Sequence, residues 1–151
     1  MTMKESFEYY THVGASDGFD VPEFPNVFAL GIIIPYLKPD EEFEHHESLK
    51  ELNCCSKLAV DHYDMKNYAN YEFVKVVKAN SQAVAGAMFY ITFEARDKDK
   101  DDAPVEMFEA KVYSGIKETN MRVLTCRPKK VTIIDEDVRC NKEEYECDSN
   151  S

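Results

Sequence analysis

Three aspartates alternate in the stretch DKDKDD, at Asp97, Asp99 and Asp101, and alternating carboxylates are how a calcium-binding loop begins. The residues that would complete such a loop are missing. Asp102 stands at the sixth position, where the sharp turn requires glycine, and Phe108 at the twelfth, where a bidentate glutamate belongs. The stretch therefore reads as a solvated charged loop. The histidines offer no better site: His45 and His46 are neighbours, His62 falls in a helical stretch, and none has the four-residue spacing that brings two imidazoles onto one ion. Cys55 and His62 are about two helical turns apart, roughly 10 Å along the axis at ~1.5 Å per residue, too far for a thiolate–imidazole pair.

The five cysteines are an odd number and contain no C-x-x-C spacing. Cys54 and Cys55 are adjacent and point to different sides of a helix, and Cys126, Cys140 and Cys147 stand apart, so free thiols and no zinc site are expected. G-x-S-x-G, P-loop and G-x-G-x-x-G patterns are absent as well. These readings exclude the common catalytic and cofactor-binding motifs: the expectation is no enzyme, no metal and no cofactor. A net charge of -11 and a pI near 4.8 would repel phosphate backbones and anionic lipid, which argues against nucleic-acid and membrane partners. The N-terminus lacks the apolar core of a secretory signal, and the longest apolar run, VFALGIII, is too short to span a bilayer, so the expected location is intracellular.

Among the elements, one helix is well signalled. Ser48-Leu49-Lys50-Glu51 fits a capping box, and Leu52, Cys55, Ala59 and Tyr63 follow at helical spacing, predicting an amphipathic helix to about Met65. Strand patterns then follow one another in YEFVKVVKAN, AMFYITFEA, EMFEAKVY, MRVLTC and VTIID with no helix between them. This order predicts an α+β domain in which an antiparallel sheet wraps around one long helix. Residues 1–46 read as an N-terminal extension of turns and short strands, because Gly and Pro punctuate them, with VFALGIIIPY as one buried strand that Pro35 stops. Residues 47–135 form the domain, and 136–151 an acidic, flexible tail.

One turn in this plan is unusually apolar. In NSQAVAGAMFYITF, Phe89, Ile91 and Phe93 line one face of a strand and Met88, Tyr90 and Thr92 the other, while Ala83, Val84 and Ala85 sit where the chain should be turning. Small apolar residues at a loop tip can enter a partner's groove, and Gly86 permits a close approach that a Cβ would forbid. They can equally extend the strands and face the protein's own sheet, with Gly86 serving a bulge or turn.

The order of CSKLAVDHYD, YEFVKVVKAN, SQAVAG, ITFEA and FEAKVY resembles the cystatins, plant cystatins most closely. The loop fits their Q-x-V-x-G motif at Gln82, Val84 and Gly86, and CSKLAVDHYD looks like a variant of the plant helix signature. The resemblance covers about 48–113, and the long N-terminal part is similar to a plant-specific cystatin-related group. It implies the cystatin fold and reversible occlusion of a papain-like cysteine protease by a wedge of three segments. These would be an N-terminal trunk, a first loop made of Gln82, Ala83, Val84, Ala85 and Gly86, and a second loop. Two parts depart from the family. The second loop usually carries Pro-Trp, but here it reads SGIKETN, with Ile116 its only apolar residue, in a chain without tryptophan. The trunk glycine has only Gly31 as a match, inside a run that reads as buried. The resemblance thus implies weak, micromolar inhibition or none, by a monomer able to exchange strands into a swapped dimer. The other reading is a non-inhibitory interaction module on the same fold.

Overall fold

The computed structural model describes residues 1–24, 31–39, 49–117 and 120–129. His45, His46, Cys140, Cys147, the VTIID stretch and the acidic tail lie outside the described residues. In chain order the elements are α1 (Met3–Ser16), β1 (Ile33–Leu37), α2 (Leu49–Asn67), β2 (Tyr71–Val84), β3 (Gly86–Asp97), β4 (Glu106–Ser114) and β5 (Met121–Pro128). The five strands form one antiparallel sheet in sequence order. Among the described residues, no helix is long and apolar enough to cross a membrane.

Helix α2 packs on one face of the sheet with the stripe that its spacing predicts. Leu52, Cys55 and Ala59 are fully buried against Val76, Ala79, Phe89, Ile91, Phe93, Phe108, Ala110 and Val112. Small side chains at 55 and 59 let the helix approach the sheet closely, and aromatics fill the far end. There the Tyr63 ring meets Tyr71 and Phe108 edge-on at 5.8 and 5.1 Å. Tyr68 ends the helix in a left-handed conformation (φ 52°), and Asp64 accepts the Tyr71 N–H with both carboxylate oxygens at 2.9 and 3.1 Å, fixing the turn into β2.

Two expectations for the N-terminal extension are corrected. Residues 3–16 are a helix, not turns and short strands: Thr2 and Glu5 form a reciprocal capping box at 3.1 and 2.7 Å, and no Gly or Pro precedes Gly14. Pro35 lies inside β1 and does not stop it, because β1 is an edge strand whose register shifts between Pro35 and Leu37, where a missing N–H is tolerated.

The extension also covers the outer face of the sheet. Tyr9 and Phe19 bury themselves with Ile33 and Tyr90 in a second cluster, joined by Val13, Val21, Ile32 and Met88. Strand β3 is consequently enclosed on both sides, with Phe89, Ile91 and Phe93 facing α2, and Met88 and Tyr90 facing the extension. Polar anchors hold residues 17–20 in place. Asn80 Nδ2 donates to the carbonyls of Gly18 and Phe19 at 3.0 and 2.9 Å, Arg127 reaches Asp17 Oδ2 at 2.8 Å and stacks over Phe19, and Lys78 pairs with Asp20.

Cys54, Cys55 and Cys126 are free thiols. Burial pushes Cys55 and Cys126 up to about 12, with Glu51 and Asp64 respectively adding to the effect, whereas Cys54 is exposed. Timed alkylation of the native protein, mapped by peptide mass spectrometry, should therefore modify Cys54 well before Cys55 and Cys126. Equal rates at the three positions would contradict this packing.

Candidate functional site

The start of β1, the β2–β3 turn and the β4–β5 turn meet at one end of the sheet. Register places Ile33 opposite Gln82, Val84 opposite Gly86, Ala87 opposite Ser114, and Ser114 opposite Met121. Segments distant in sequence thus form one edge because successive antiparallel strands return to it.

The first turn is tighter than a free loop. Gln82, Ala83 and Val84 belong to β2 and pair with Met88, Ala87 and Gly86, leaving Ala85 alone at the tip. The strand-extension reading is therefore right about the backbone, but the side chains do not turn into the sheet: Ala83, Val84 and Ala85 are exposed, Val84 by 42%. Gly86 makes the reversal possible at φ 105°, a conformation that costs other residues about 1–3 kcal/mol. A Cβ there would also run into the Ser114 carbonyl oxygen and the Gly115 backbone. Tyr113 braces the tip by donating its hydroxyl to the Ala85 carbonyl.

Gly86→Ala should consequently destabilise the fold by about 2 kcal/mol in urea unfolding, through strain and collision together. An unchanged midpoint would show that the turn relaxes freely.

The second turn runs from Ser114 through Gly115, Ile116 and Lys117 to Asn120, closed by Gly115 N–H to Asn120 O at 3.0 Å and Asn120 N–H to Lys117 O at 2.9 Å. Ile116 projects from it, 87% exposed. Ser114 Oγ donates to Glu51 Oε1 at 2.9 Å and ties this turn to the first part of α2. Behind the two turns lies a shallow open groove bordered by Tyr36, Glu51, Gln82, Ala87, Phe89 and Ser114.

Gly31 stands beside the first turn and is not buried, contrary to the reading of its apolar surroundings. It is exposed, has φ 87°, and a Cβ on it would meet no atom within 4 Å. Beyond it, Ile33 is buried in the outer cluster and Ile32 packs against it. Gln82 Nε2 donates to the Gly31 carbonyl at 2.7 Å, and its Oε1 accepts the Tyr90 hydroxyl at 2.8 Å. Gln82 is therefore committed within the molecule, as the clasp between trunk and turn. Tyr90 and Tyr113 are the supporting residues that sequence reasoning missed. The one signal for Tyr90 was an aromatic residue on the second face of β3, where an alternating strand open to water would carry a polar one; Tyr113, on β4, had none.

Those of the residues considered for metal or nucleophile chemistry that are described lie elsewhere. Asp97 Oδ1 accepts the Asp99 N–H at 3.0 Å, and Asp99 accepts Asn70 Nδ2 at 3.0 Å, so these carboxylates stitch their own turn. Among the described residues, no three His, Cys, Asp or Glu side chains come together as a metal site. Cys55 Sγ faces Met121 Sδ at 3.9 Å in the core, while His62 is exposed.

One long helix held by an antiparallel sheet, ending in two adjacent hairpin turns beside a strand start, defines a cystatin-type domain. Residues 44–124 match the family model for the cystatin domain, and the chain belongs to the cystatin family. It is 35% identical over 63 residues to Cysteine proteinase inhibitor 3 of Arabidopsis thaliana, covering 42% of this chain and 47% of that protein. To Cystatin-1 of Zea mays it is 34% identical over 83 residues, covering 55% of this chain and 56% of that one. To Cysteine proteinase inhibitor A of Helianthus annuus it is 40% identical over 63 residues, covering 42% and 72%. The matched part spans about half the length of the Arabidopsis and maize relatives.

Proposed function

We propose that this protein is a reversible inhibitor of papain-like cysteine proteases and not an enzyme. Its binding edge is formed by Gly31, the tip from Gln82 to Gly86, and Ile116. The observation that carries the reading is the convergence of three discontinuous segments on one edge, where Val84 and Ile116 are exposed apolar side chains that the fold itself does not use. The inhibitor names of the relatives support the same class of partner. Val84 is the expected anchor and Ile116 a weaker one, since aliphatic residues supply less hot-spot energy than the tryptophan usual at the second turn. Occlusion of the cleft needs no covalent step: the tip blocks access without placing a cleavable bond at the nucleophile.

Titrating purified monomer against papain tests the reading. Saturable, competitive inhibition in the micromolar range is the expected result, and full protease activity at ~100 μM inhibitor would exclude binding stronger than about -5.5 kcal/mol. A second reading, a non-inhibitory interaction module, draws on the outer side of α1, where Met3, Phe7 and Tyr10 are exposed at helical spacing.

A further inference from the structure

The extension touches the proposed binding edge through a continuous set of contacts. Tyr90 lies between them, with its ring on the outer face of the sheet and its hydroxyl on Gln82. Its position is closely fixed. Phe19 packs edge-on at 5.9 Å, the Lys111 ammonium sits 5.4 Å from the ring centre, and a Cβ on Gly18 would lie 2.7 Å from Tyr90 Cε2. Gly18, at φ 90°, is thus the residue that lets the extension lie directly on the ring.

The hydrogen-bond chemistry has a direction. The Gly31 carbonyl can only accept, so the Gln82 amide must turn its NH2 towards it, which leaves Oε1 to be satisfied by a donor on the other side. The Tyr90 hydroxyl is that donor. Two residues beyond Gly31, the Ile33 N–H donates to the Tyr9 hydroxyl at 2.6 Å, so α1 secures the trunk from its other flank. A trunk held in place before binding loses less conformational freedom on docking.

We propose that Tyr90 is a positioning residue for the inhibitory edge: braced by the N-terminal extension, it orients Gln82 so that the amide holds Gly31 beside the hairpin tip. The proposal rests on the protease-inhibitor reading of that edge. It assigns residues 1–24 the work of an internal brace on the face opposite α2.

The full-length chain tests this with two variants and two readouts. Tyr90→Phe removes only the hydroxyl. Gln82→Glu retains an acceptor for Tyr90 but, when ionised, has no donor for Gly31. In the free protein, both variants should speed amide exchange over residues 31–37 by about fivefold, the equivalent of one ordinary hydrogen bond, leaving exchange over 52–60 and 91–95 unchanged. Both should raise the dissociation rate from papain by a similar factor. For Gln82→Glu, the rate relative to the parent should return towards one as pH falls from about 7 to about 4, because the protonated carboxyl regains a donor. Unchanged exchange over 31–37, or a loosened trunk without faster dissociation in an inhibiting chain, would overturn the proposal. A parent chain that does not inhibit would overturn the protease reading instead, and the exchange measurement would still decide whether Tyr90 positions Gly31.

Discussion

Val84→Asp is expected to weaken inhibition of papain by about 100-fold or more while leaving the unfolding midpoint in place. The two effects separate because Val84 contributes its backbone to the fold and its side chain to solvent: it pairs with Gly86 across the hairpin and remains 42% exposed. Introducing a carboxylate there disturbs little in the free protein. In a closed protease groove the same carboxylate would lose water without gaining a partner, and 100-fold corresponds to about 2.7 kcal/mol, within the cost of an unpaired charge at an interface. Competitive inhibition constants, with the variant's fold checked by urea unfolding, provide the measurement. An unchanged constant would mean that the hairpin tip does not enter the cleft.

Phe108→Ala should have the largest effect on stability, about 3–5 kcal/mol by urea unfolding. Phe108 is fully buried at the junction of α2, β2 and β3. Its ring is stacked on Phe93 at 5.8 Å and meets the Tyr63 and Tyr71 rings edge-on at 5.1 and 5.0 Å. The site cannot collapse easily, since its neighbours are rings held by separate elements, so most of the vacated volume would persist as a cavity. A loss below about 1 kcal/mol would show that this aromatic group is adaptable. The inhibition constant, corrected for folded fraction, should not move, because Phe108 lies on β4 away from its Ser114 end.

The parts of this fold that were legible in the sequence are those governed by one period and one solvent. Helix α2 announces itself because one side meets the sheet and the other water, and β2 to β5 because apolar residues alternate between short polar links. Helix α1 was obscured by the residues around its C-terminal end: Gly14, Gly18 and Pro22 suggest a broken chain, while the Thr2 and Glu5 capping pair that starts the helix occupies only the first few residues. The outer cluster was hidden for a related reason. Met88 and Tyr90 are visibly apolar, but the residues covering them are brought over from more than 50 positions away, and no local pattern encodes that crossing. At the candidate site, the motif residues Gln82, Val84 and Gly86 could be located from order alone. Their division of labour could not, because Gln82 facing Gly31 and Gly86 pressing on Ser114 depend on strands separated in sequence.

The ion pair between Asp17 and Arg127 joins residues 110 positions apart. On a ribosome, α1 and residues 17–20 would emerge before β3, β4 and β5 and have nothing to dock on until those strands had followed and paired. Loop closure over such a span is slow, and its entropic cost is repaid only by contacts that form late. The expected order of assembly is therefore inverted with respect to synthesis: helix α2 and its sheet form first, and helix α1, made before them, settles last, as a seal on a finished domain.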